Sequence, residues 1–150
     1  MPQVIFNTLW ANHPWPNEPC SAYLFENQCA IRMGVALELS GVNTASFDAM
    51  FPGRRCSAYP ALQCNRPHIL AAQELATWMR SQPQIFGEVE VHGWETRQVA
   101  HFKKKKGIVF IMDGWGSTDH FDLWNGMEFI TAYPVNNLNV GKELWFWELK

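Results

Sequence analysis

The chain has 150 residues, 47% of them hydrophobic and 17% charged, with a net charge of −2. That size and make-up fit one packed domain over residues 1–150 and exclude a largely disordered chain. The charge balance argues against a nucleic-acid partner, which needs a clear basic excess to meet phosphates, and no run of about 20 apolar residues exists to span a membrane.

The first residues, MPQVIFNTLWANHPWP, lack the basic start and long apolar run of a secretory leader, so export by that route is not expected. Residues 1–28 read as irregular, because Pro14, Pro16 and Pro19 forbid a regular helix there. The first helix begins near Cys29, in CAIRMGVALELSG. Ile31, Val35 and Leu39 recur every four residues, and Met33 and Leu37 widen the stripe, which predicts a helix largely surrounded by protein. Asn27 is a suitable N-cap and Gly41 marks the stop. Gly34 weakens the helix interior, which predicts close approach of another backbone.

Residues 42–64 read as loop or short helix, punctuated by Pro52, Gly53 and Pro60. Besides Cys29 the chain has Cys20, Cys56 and Cys64. Cys56 and Cys64 bracket SAYPALQ and are a candidate disulfide for an oxidising compartment. The alternative is a zinc site of Cys56, Cys64 and His68, although the spacing matches no common zinc pattern. A second helix is predicted over NRPHILAAQELATWMRSQ, capped by Asn65 and with Pro67 in its first turn. Ile69, Leu70, Ala72, Leu75, Ala76 and Met79 form its apolar face, and Pro83 stops it. Lys103 to Lys106 read as a solvated turn.

The C-terminal half changes character. GIVFIMD (107–113) is a buried strand by composition, and ELWFWEL (143–149) is a last strand. HFDLWNGMEFITA (120–132) predicts a hairpin with Asn125-Gly126 as a type I′ turn. Helices followed by an antiparallel sheet make an α+β domain.

A cysteine that opens a buried helix lies where free backbone N–H groups and the helix dipole favour an anion. Such a thiol ionises more readily, and the same amides can hold an oxyanion. Taken alone, Cys29 also reads as a small buried hydrophobe. In the hairpin, alternation turns Phe121 and Leu123 to the core and puts His120, Asp122 and Trp124 on the other face. That face is either a cleft wall or an ordinary solvent face. A two-residue turn pairs Trp124 with Met127, Asp122 with Phe129 and His120 with Thr131, which sets Thr131 beside His120. Cysteine on an early helix with histidine on a later strand is the arrangement of papain-like hydrolases.

The segments NQCAIRMGVAL and GIVFIMDGWGSTDHFDLWNG, with the Cys56 region and the helix after it, resemble the type VI secretion amidase effectors, family 4. The resemblance implies a papain-like, NlpC/P60-type fold with N-terminal helices packed on a C-terminal antiparallel sheet. It implies a D,L-endopeptidase that cuts peptidoglycan stem peptides between D-glutamate and meso-diaminopimelate. Such effectors act in the periplasm of a target bacterium, and producers keep a cognate immunity protein. Cys29 matches the family's nucleophile and His120 its general base; no cofactor or metal is implied. The family carries an aspartate on the strand after the histidine, where this chain has Thr131 facing His120. Asp122 is the nearest carboxylate, so it is taken as the third member, with Thr131 as the alternative. A reading of another class is a non-catalytic cell-wall or glycan-binding module, which eight tryptophans would suit. A third keeps the chemistry but makes the enzyme a remodeller of its owner's wall, or an acquired lysin in a non-bacterial host.

Overall fold

The computed structural model describes residues 4–17, 19, 28–55, 68–93, 99–112, 119–135, 138 and 141–150. Among the described residues five helices come first: α1 (Phe6–Asn12), α2 (Cys29–Leu39), α3 (Ala45–Met50), α4 (Ala72–Arg80) and α5 (Pro83–Phe86). Strand β1 (Glu90–Gly93) and a 3-10 helix (Val99–Phe102) lead into β2 (Gly107–Met112), β3 (His120–Trp124) and β4 (Glu143–Glu148). The strands form one antiparallel sheet in the order β1-β4-β2-β3. This is the α+β arrangement that the order of sequence patterns predicts.

The predicted helix at Cys29 forms with its predicted start. Its end is a complete glycine cap: Gly41 sits at φ +91, its N–H bonds Glu38 O, and Val42 N–H bonds Leu37 O. Asn27 lies outside the described residues; Gln28 precedes the helix and makes no side-chain cap. Gly34 faces the Ile69 side chain, not another backbone; a Cβ added at Gly34 would lie 3.8 Å from Ile69 Cβ, an ordinary contact.

The helix expected from Asn65 begins later. Ala71 is extended, and Ile69 pairs with Arg55 in an isolated bridge, so α4 starts at Ala72; Asn65 and Pro67 lie outside the described residues. Pro83 stops this helix and opens α5 as its first residue, where its missing N–H costs nothing. The irregular start expected for residues 1–28 is corrected by α1. Pro14, Pro16 and Pro19 all lie beyond FNTLWAN, which buries Phe6 and Leu9. Cys20, Cys56 and Cys64 lie outside the described residues, and with them the disulfide and the zinc alternative.

Both faces of the sheet are covered. Ile108, Phe110, Phe121, Leu123, Trp145 and Trp147 pack toward the helices, in one cluster with Leu37, Leu75 and Trp78. The residues between them, Val109, Ile111, Trp124, Leu144 and Phe146, form a second cluster with Phe102, Phe129 and Leu138. The face shared by His120, Asp122 and Trp124 is therefore buried, not a solvent face. Trp78, Trp124 and Trp147 are fully buried, which spends them on packing rather than on an exposed stacking platform.

Candidate active site

The predicted hairpin register does not hold. Asn125 and Gly126 do not form a two-residue turn. Asn125 Oδ1 accepts the N–H groups of Met127 and Glu128, and Asn125 N–H bonds Glu128 O, closing a four-residue loop with Gly126 at φ +98. Trp124 consequently pairs with Phe129, not Met127. A shift of two residues keeps every side chain on its face but changes its neighbour. Thr131 comes to lie opposite Asp122 rather than His120, and bonds it.

That pairing builds a rigid carboxylate. Asp122 is wholly buried. Its Oδ1 accepts the N–H of Leu123 at 2.8 Å and of Thr131 at 3.3 Å. Its Oδ2 accepts the Thr131 hydroxyl and lies 2.8 Å from His120 Nε2. Two backbone donors on one oxygen fix the carboxylate plane and aim the other oxygen at the imidazole. His120 and Asp122 lie two apart on one strand and so on one face, close enough for their side chains to meet.

The start of α2 abuts the start of β3. Cys29, the first residue of α2, is 8% exposed, and its thiol reaches Asp119 O at 3.7 Å. His120 follows at once. Its Nε2 is taken by Asp122, which leaves Nδ1 for its hydrogen bond to Cys29. Burial acts to lower the His120 pKa. The hydrogen bonds to Asp122 and Cys29, reinforced by the charges of both, outweigh it and raise the value from 6.5 to about 9. The imidazole thus holds a proton at neutral pH.

Three more side chains surround this group, and the sequence patterns single out none of them. Tyr133 stands edge-on to the His120 ring, 4.3 Å between centroids at 82°. His13, at the end of α1, is buried and accepts the Trp15 N–H on Nδ1 at 3.2 Å. Burial lowers its pKa to about 4, with Arg32 and His120 acting the same way and Asp122 against them, so this second imidazole is neutral. Arg32, three residues after Cys29 on α2, lies over the Trp15 ring at 4.8 Å and donates from Nε to Asn17 O. The spacing of Arg32 from Cys29 is a signal that could have been read; His13 and Tyr133 carry none in the local pattern. A separate open cavity of about 560 Å³, lined by Val99, Lys103, Lys104, Trp124, Met127 and Val135 among others, includes neither Cys29 nor His120.

Fold and site together define a small α+β domain that brings a thiol, an imidazole and a buried carboxylate into one hydrogen-bonded chain. The chain belongs to the Tae4 family: the model for type VI secretion system (T6SS), amidase effector protein 4, matches residues 25–147. The structure is similar to that of the effector Tae4 from Enterobacter cloacae, with 21% identity over 100% of both chains and a TM-score of 0.69. It is similar to the Tae4–Tai4 effector–immunity complex from the same species, at 20% identity over 98% of this chain and 99% of that one, TM-score 0.69. The Tae4/Tai4 effector–immunity system of Salmonella typhimurium gives a TM-score of 0.70 at 19% identity, again over 98% and 99%. No curated protein matches the sequence. Among the described residues no helix is long and apolar enough to cross a membrane.

Proposed function

We propose that this chain is a cysteine peptidoglycan amidase, a single-domain NlpC/P60-type D,L-endopeptidase that hydrolyses the γ-D-glutamyl–meso-diaminopimelate bond of stem peptides. The observation that carries the reading is the chain of contacts from Cys29 through His120 to the buried Asp122. The imidazole stands where it can exchange a proton with the thiol. The Cys29 thiolate attacks the amide carbonyl, and backbone N–H groups at the start of α2 receive the negative charge on oxygen. His120 gives its proton to the leaving amine, which departs as the tetrahedral centre collapses to a thioester. The now neutral imidazole takes a proton from water, the hydroxide adds to the thioester, and the thiolate leaves, regenerating the starting pair. Asp122 holds the imidazole and stabilises its charge, and Thr131 holds Asp122. The reading calls for no cofactor or metal.

Membership of the family and the effector–immunity complexes of its relatives support delivery by type VI secretion into a target cell's periplasm and a cognate immunity protein. The test is to incubate peptidoglycan sacculi with the protein and with Cys29→Ala, and to analyse the muropeptides by mass spectrometry. Stems cut between D-glutamate and diaminopimelate by the wild type alone support the proposal. Uncut stems with both proteins bound to sacculi would transfer the case to the wall-binding reading.

A further inference from the structure

We propose that Glu90, His92 and His101 form a binding site for a divalent transition-metal cation of the zinc type, at the edge of the sheet opposite the Cys29–His120 pair. Glu90 and His92 lie two apart on edge strand β1, so both project from one face. The 3-10 helix brings His101 over that face. Glu90 Oε1 lies 3.5 Å from His92 Nε2 and 3.3 Å from His101 Nε2, and the three ligand atoms are all within 4.8 Å of one another. Tetrahedral zinc with bonds of about 2.0–2.1 Å spaces its ligand atoms about 3.3–3.4 Å apart. Two of the separations already have the spacing a bound cation imposes, and the third needs a small closure.

The chemistry of the donors agrees with the geometry. Two imidazoles and one carboxylate are a zinc-type ligand set that leaves a fourth position for water. His92 Nε2 is buried, with Glu90 Oε1 3.5 Å away as its polar neighbour. The rings are held in place: His92 and His101 each stand edge-on to the buried Phe102, with centroids 5.2 Å away. Lys105 puts its ammonium 3.7 Å from Glu90 Oε1 and 3.3 Å from His101 Nε2. A cation is therefore already favoured there, and the flexible lysine competes with a metal for the same two atoms.

The test is calorimetric titration of the full chain with Zn²⁺, with Co²⁺ absorption to read the coordination geometry. The account expects one equivalent bound at this site, and affinity weakened at least about tenfold by His92→Ala or by the more exposed His101→Ala. It also expects Lys105→Met to tighten binding and Cys29→Ser to leave it unchanged. Absence of Zn²⁺ binding, or binding that survives both histidine substitutions and fails only when cysteines are replaced, would overturn the proposal. Amidase activity does not enter the readout, so the result stands apart from the reading of the Cys29 site.

Discussion

Asp122→Asn tests the carboxylate through its own hydrogen bonds. Oδ1 accepts two backbone N–H groups, so an asparagine must put its carbonyl oxygen there and turn its NH₂ toward His120 Nε2. Donor then meets donor. The imidazole escapes by moving its proton to Nδ1, the nitrogen that should exchange a proton with Cys29, and it loses a charged partner. A hydrogen bond to a charged group contributes about 1.5–3 kcal/mol, which predicts a fall in kcat/KM of roughly 10- to 150-fold. The pH profile should move with it. The working state needs a protonated His120, whose pKa of about 9 depends on Asp122, so the alkaline limb should shift to lower pH in the variant. The assay is release of cleaved stem peptide across pH. Unchanged kcat/KM with an unmoved alkaline limb would refute the role given to Asp122.

Thr131→Val removes the hydroxyl but keeps the N–H bond to Asp122 Oδ1; it should cost less activity than Asp122→Asn and about 1–3 kcal/mol of stability in urea unfolding. Gly34→Ala should raise stability by about 0.5–1 kcal/mol, because the helix gains a better former and the new Cβ meets Ile69 at an ordinary 3.8 Å. Gly107→Ala should instead prevent normal folding, since its Cβ would strike the Trp147 carbonyl oxygen and lie 2.9 Å from the carbonyl carbon where β2 begins its pairing with β4; both glycine variants are read by thermal melting. The two buried histidines should give stability a maximum near pH 6.5. His13, depressed from 6.5 to about 4, contributes stability above 6.5 that is lost as pH falls toward 4, while His120, raised to about 9, contributes stability below 6.5 that is lost as pH rises toward 9. His13→Asn retains an acceptor for Trp15 N–H and should flatten the acid side of a melting-temperature profile.

Periodicity and composition carried the elements whose burial is one-sided or complete. The stripe of Ile31, Met33 and Leu37 located α2, and the apolar run 107–112 located β2, because hydrophobic spacing is what their packing demands. Glu90–Gly93 leaves no such mark in the sequence, because a short edge strand of alternating half-buried and exposed residues has no apolar run. The hairpin register failed for a different reason. Asn-Gly favours a tight turn, but Asn125 gives its side chain to two backbone N–H groups further along, and the longer loop lets Phe129 stand edge-on to Trp124 at 5.1 Å. A two-residue turn would have set Thr131 against His120; the longer loop is what joins it to Asp122. The helix start at Cys29 and the strand that carries His120 were legible in the pattern, whereas the approach of one to the other, like that of His13 and Tyr133, comes through tertiary packing that no local pattern encodes.

The most direct measurement traps the covalent intermediate. Acid quenching during turnover of a tetrapeptide stem, followed by intact mass and peptide mapping, should find the acyl group as a thioester on Cys29 and nowhere else. Cleavage that persists in Cys29→Ala, or an acyl group mapped to another residue, would contradict the account.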